Sequence, residues 1–161
     1  MANLSLQRAD EADLDFILAT ERLPGYDEVV GRWDEARHRA ALRDDRHAYF
    51  VGRLDDVRVG FVIVRDWNSP ERVSLIKRVA VSNPGQGVGR SLLRAVVDLV
   101  FKNTDAYRLW LGVFPENLRA QAAYKAVGFV GEGVARGSAY FGGHHRDELV
   151  MAILRPDWQS G

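Results

Sequence analysis

The chain has 161 residues, 47% of them hydrophobic and 27% charged, which suits one folded domain and is too apolar for a disordered chain. Lysine plus arginine number 22 and aspartate plus glutamate also 22, so the formal net charge is zero and the basic excess of a dedicated nucleic-acid binder is missing. With no cysteine, disulfides, thiolate zinc sites and a cysteine nucleophile are excluded together.

The opening stretch, MANLSLQRADEADLD, has neither a basic start nor a long apolar run, and no segment approaches about 18 consecutive apolar residues. The expectation is a cytoplasmic chain, 1–161 as a single domain, with no signal peptide and no membrane span. Leu4 to Gln7 reads as a short strand. Asp10 or Asp13 can cap a helix with Leu14, Ile17 and Leu18 on its apolar face, and Leu23-Pro24-Gly25-Tyr26 breaks it. A second helical stretch, rich in Arg and Ala, runs from about Trp33 to Leu42. His47 to Leu54 and Val57 to Arg65, separated by Asp55-Asp56, predict a hairpin. After a turn at Trp67 to Pro70, the β-branched run Val73 to Val81 predicts a central strand.

The sequence SNPGQGVG then leads into an amphipathic helix from about Val88 to Lys102, with Val88, Leu92, Leu93, Val96 and Val100 on one stripe and Arg90, Arg94, Asp98 and Lys102 on the other. Arg108 to Val113 is another strand. Pro115-Glu116-Asn117 opens a helix that ends near Val127, stopped by Gly128. Phe129 to Val134 and Glu148 to Leu154 read as the last strands, joined by a loop holding Gly142-Gly143-His144-His145. Hairpins followed by β-α-β units imply a mixed α/β (α+β) fold.

Two segments carry chemistry. In the first, Val79-Ala80-Val81 runs into Gly85-Gln86-Gly87-Val88-Gly89 and a helix. Unblocked backbone and free helical N–H groups there make a nest for phosphate or pyrophosphate, to which Arg90 adds charge and Ser91 a hydroxyl. The lysine of a Walker loop is absent, and the spacing is not that of a dinucleotide fingerprint. In the second, Asn117, Ala120 and Tyr124 follow the pattern N-x-x-A-x-x-x-Y-x-x-x-G-F and share one helix face, kept shallow by Ala120.

On these residues the sequence resembles the GCN5-related N-acetyltransferase (GNAT) superfamily, most strongly from Val73 to Leu154. The resemblance implies a mostly antiparallel central sheet with helices on both faces. It implies that Pro84 to Gly89 and the first turn of the next helix hold the pyrophosphate of acetyl-CoA. Val79, Ala80 and Val81 would splay from the neighbouring strand and bond the pantetheine arm with free backbone groups. Asn117 would lie near the cofactor and Tyr124 near its sulfur, as proton donor to the departing thiolate. The family's turn usually begins with Arg or Gln, and here Pro84 stands in that place. No metal is implied. The partners implied are acetyl-CoA and an amine acceptor, with neither nucleic acid nor membrane, and because family members are often dimers a homodimer is an expectation. Three other readings stay open at this point: a non-catalytic acyl-CoA-binding regulatory module, a nucleotide-binding protein, and an interaction domain without a small ligand.

No general base stands out. Glu21, Asp66 and Glu71 read as solvated surface acids, His144 and His145 as part of a solvated loop, and the arginines around Arg37 as an amphipathic helix face. In this fold the first two helices wall the acceptor site, which makes Tyr26, Trp33 and Trp67 candidates for lining it or for plain core.

Overall fold

The computed structural model describes residues 3–27 and 29–161, so any reading that involves Met1, Ala2 or Glu28 lies outside the described residues. Seven strands form one sheet: β1 (Leu4–Arg8), β2 (His47–Leu54), β3 (Val57–Arg65), β4 (Val73–Val81), β5 (Arg108–Val113), β6 (Val130–Phe141) and β7 (His144–Leu154). Their order is β1-β2-β3-β4-β5-β7-β6, antiparallel throughout except for the parallel pair β4–β5. Helices α1 (Leu14–Glu21), α2 (Glu35–Arg43), α3 (Val88–Asn103), α4 (Leu118–Val127) and α5 (Arg155–Ser160) complete the chain.

The period-two alternation of strands sorts side chains onto two cores. Phe50, Val62 and Val64 face α3, packing against Leu92, Val96 and Val100. Tyr49, Val51, Phe61 and Ile63 face the opposite way, meeting Ile17 of α1, Ala41 of α2 and Trp33. From Leu92 onward the amphipathic stripe read from α3 is its buried face, extended by Val97 and Phe101, while Val88 is half-buried.

β4 and β5 pair only at Val73–Arg108, Ser74–Leu109 and Leu75–Trp110. From Ile76 onward β4 has no β5 partner, so a cleft opens between the two strands. A second irregularity lies beside it. Ile63 pairs with Arg78 but Val64 with Ile76, which leaves Lys77 as an extra residue on β4, the arrangement of a β-bulge.

Two elements differ from the sequence reading. The β6–β7 hairpin runs to Phe141 and His144, so its loop is only Gly142-Gly143, both at positive φ. His144 and His145 are therefore exposed strand residues rather than loop residues. A terminal helix, α5, was not anticipated; Trp158 stacks on Phe101 with centroids 5.3 Å apart and donates to Asp98 at 2.8 Å. Trp67 packs beside Phe50 in the α3-side core, away from the cleft. Among the described residues no helix is long and apolar enough to cross a membrane.

Candidate active site

The cleft holds two adjoining cavities of about 490 and 480 Å³. Both are lined by Val29, Val30, Val79, Asn117 and Tyr124, which form the seam between them.

The first cavity runs along the start of α3. Gly87 is the N-cap of that helix with φ at 78°, and Gly85 has φ at 90°, both in the left-handed region that glycine enters without strain. The first helical bond is Ser91 N to Gly87 O at 3.3 Å, so the N–H groups ahead of it point outward, where an anion would be held. Of the residues expected here, Val79, Ala80, Val81, Gly85, Gly87, Gly89, Arg90, Asn117 and Tyr124 line this cavity. Gln86, Val88 and Ser91 belong to the same turn and helix start but do not line it.

Sequence reasoning missed Arg119. It lies two residues beyond Asn117 on α4 and lines the first cavity, and its guanidinium sits where a side chain on Gly85 would meet it at 3.3 Å. A cation from α4 thus reaches the glycine turn, although Pro84 supplies none. Tyr26, also on this cavity, donates to the Val81 carbonyl at 2.6 Å and so ties the segment after α1 to the end of β4. Burial pushes its phenol up.

Asn117 caps α4, its side chain accepting from Ala120 N at 3.2 Å. That bond uses its oxygen and leaves the amide NH₂ for the cavities. Tyr124 sits on the same face and packs near Phe129, and its hydroxyl makes no hydrogen bond among the described residues. Burial raises its phenol to about 12. At that seam the phenol is a proton donor with no internal acceptor.

The second cavity is polar. Its floor is β4, its far wall β5 and the β6–β7 hairpin, and its near wall the segment entering α2. Glu21, read as a surface acid, is wholly buried beneath it. Its carboxylate accepts from Arg78 Nη1 at 2.5 Å and from His38 Nε2 at 2.7 Å, and His38 Nδ1 meets the Tyr49 hydroxyl at 2.7 Å. Trp33 lies against this group, with the Arg78 guanidinium 4.8 Å and the Arg37 guanidinium 4.1 Å from its ring centre.

Glu148 of β7 also escaped the sequence reading. It accepts from Ser138 Oγ at 2.9 Å, and its carboxylate lies on β5 where a side chain at Gly112 would overlap it. A side chain there would push the carboxylate end aside, so Gly112 leaves the space in which the acid sits at the mouth of the split sheet. Asp66 pairs instead with Arg46 at 2.7 Å, away from the cleft. Among the described residues no three His, Asp or Glu side chains gather as a metal site.

Residues 14–129 match the Acetyltransferase (GNAT) family. A probable N-acetyltransferase of Bacillus subtilis, YjcK, is 37% identical over 73 residues, 45% of this chain and 40% of that protein. The spermidine N(1)-acetyltransferase of Vibrio cholerae is 22% identical over 96% of this chain and 94% of its own length. A solved structure of spermidine N-acetyltransferase from Vibrio cholerae, in complex with CoA and spermine, shares the fold at a TM-score of 0.83 and 22% identity, covering 98% of each chain.

Proposed function

The chain belongs to the Acetyltransferase (GNAT) family, and from that membership we propose that it moves the acetyl group of acetyl-CoA directly onto a primary amine, residues 1–161 acting as one acetyltransferase domain. The observation that carries the proposal is the pair of cavities meeting at Val79, Asn117 and Tyr124. One cavity has an anion nest and two arginines, Arg90 and Arg119, suited to a pyrophosphate; the other has room for an acceptor.

Acetyl-CoA supplies a thioester whose acyl carbon gains a C–N bond as its C–S bond breaks. The residues of the chain hold and guide that exchange. Backbone groups of Val79 to Val81, left without a β5 partner, are placed to bond the pantetheine arm and to donate to the developing oxyanion. The Tyr124 phenol gives its proton to the departing sulfur and is reprotonated from solvent. The nitrogen must be uncharged when it attacks. Arg37, Lys77 and Arg78 line the acceptor cavity and disfavour a further positive charge, so they promote the neutral amine, while Glu148 receives the proton it sheds. The reading includes a cytoplasmic setting, supported by a cysteine-free composition that suits a reducing compartment. It includes a homodimer, for which β6 leaves Val130, Val134 and Tyr140 exposed.

Acetyl-CoA-dependent release of free thiol across an amine library tests the proposal. Turnover with at least one amine class is expected. Tight acetyl-CoA binding with no thiol release from any amine would overturn it in favour of a binding module.

A further inference from the structure

The charges of the acceptor cavity do not suit a polycation. Its described lining holds four cations, Arg32, Arg37, Lys77 and Arg78, and one carboxylate, Glu148. Arg78 is answered by buried Glu21 and Arg32 by Asp27 at 2.6 Å. Neither Arg37 nor Lys77 has a carboxylate within ion-pair distance among the described residues. The placement of both is built in. Lys77 is the extra residue of the β4 bulge, and bulges re-aim side chains at the edges of active sites. The Arg37 guanidinium sits over the Trp33 ring at the near wall, 4.1 Å from its centre. Although solvent reaches Lys77, the cleft walls desolvate it, and Arg78, Arg65 and Arg37 push its ammonium below the usual lysine range against Glu148 alone.

Resting on the acetyl-transfer reading, we propose that the acceptor is an amino carboxylate, its carboxylate held between Arg37 and Lys77 and its amine turned toward Glu148 and the seam at Tyr124. A polyamine brings two or more positive charges and no negative one into a cleft where the unanswered charge of the described lining is positive, so that lining selects against it. An amino carboxylate brings one charge for each side of the cavity. The anion neutralises Arg37 and Lys77, and Glu148 orients the nitrogen at the opposite wall.

The test is thiol release measured with amino acids, with the same amino acids as C-terminal amides, and with diamines and spermidine, all compared per free amine. The carboxylates should exceed their amides by about tenfold or more in kcat/KM, a difference that a single well-placed ion contact supplies. Lys77→Met combined with Arg37→Met should bring the ratio of carboxylate to amide to about one, and Lys77→Glu should turn the preference toward diamines. Amides or spermidine used as well as the carboxylates by the unmodified protein would overturn this inference and leave acetyl transfer standing. If acetyl-CoA binds but no amine is turned over, the transfer reading fails by itself. Calorimetric binding of an amino acid and its amide to the CoA-saturated protein then decides the subsite: tighter carboxylate binding lost in the double variant upholds it, and equal binding overturns it.

Discussion

Glu21 at the end of α1 places a carboxylate oxygen 2.5 Å from a guanidinium nitrogen of Arg78 on β4, across 57 residues of sequence. The acid is fully buried and the base nearly so. The other oxygen is taken by His38 Nε2, Arg22 Nη1 and the Trp33 amide. α1, the segment entering α2, and the floor of the acceptor cavity are therefore joined at one carboxylate. Burial lowers the affinity of Arg78 for its proton, and Glu21 opposes that shift.

Removing one member of such a pair strands the other, which typically costs about 3–5 kcal/mol. Glu21→Gln should therefore lower the thermal midpoint by on the order of 10 °C, given about 2–4 °C per kcal/mol in a chain of this size. Adding Arg78→Met removes the stranded charge and should restore part of the loss. Thermal unfolding of the single and double variants reads both effects, and a Glu21→Gln midpoint equal to the parent's would show that the pair does not hold the wall.

Gly89 is the clean test of the cofactor turn. Gly87 has φ at 78°, so any side chain there strains the backbone before it meets a ligand. A side chain at Gly89 meets nothing within 4 Å and keeps an ordinary φ, yet Gly89 lines the first cavity. Gly89→Leu should leave the fold intact and weaken CoA binding at least tenfold, about 1.4 kcal/mol. Calorimetric CoA affinity unchanged in that variant would remove the turn from the binding site.

Arg119 should act on the pyrophosphate because its guanidinium overhangs Gly85. Arg119→Met should weaken CoA by about tenfold at low salt, the scale of one charge-assisted contact, with the difference shrinking as salt rises. Acetyl-pantetheine, which has no pyrophosphate, should bind both forms alike. Equal loss for the two ligands would mean that Arg119 only shapes α4.

Local signals made the framework readable and distant ones hid the acceptor site. Asp55-Asp56 between two alternating runs gives β2 and β3 with the ends read from the sequence, and the stripe on α3 needed no partner to be seen. Glu21 looks like any helix-end acid until folding brings His38 and Arg78 to it. Lys77 sits in a strand-like run with no turn residue beside it, and its bulge shows only in the register with β3. Glu148 becomes a cleft acid through Gly112, 36 positions earlier on another strand. The outer half of the β6–β7 hairpin, Ala135 to His145, is polar and glycine-rich, so its composition reads as loop. The pairs Ala139–Arg146 and Phe141–His144 make it strand.

The pH profile follows from the sign of the Tyr124 shift. Burial raises this phenol from its ordinary value near 10 to about 12, which favours the neutral form. Its contribution to stability is present below about pH 10 and is lost as pH rises through about 12. Over the working range Tyr124 keeps its proton, so kcat/KM should climb with the free-base fraction of the amine, and this phenol should add no descending limb below about pH 11. A descending limb near pH 10 that disappears in Tyr124→Phe would show a phenol titrating at its ordinary value and would contradict this assignment.

Tyr124→Phe separates proton donation from packing. A thiol such as that of CoA should resemble cysteine, near 8.5, so donation from a phenol at about 12 is uphill by about 5 kcal/mol if both stand as separate acids. The apolar seam narrows that gap, because the surroundings that raise the phenol also disfavour a bare thiolate. Transfer concerted with C–S cleavage is then easier than expulsion of the free thiolate, and the phenol acts chiefly in the transition state. Its loss should lower kcat by about 10²-fold, the lower end of general acid catalysis, with KM for acetyl-CoA little changed. Folding should be unaffected, since the hydroxyl has no internal hydrogen bond among the described residues and the ring contact with Phe129 is kept. A steady-state kcat within about twofold of the parent, in a variant of unchanged thermal midpoint, would reduce Tyr124 to a packing surface for the pantetheine arm and leave water as the acid.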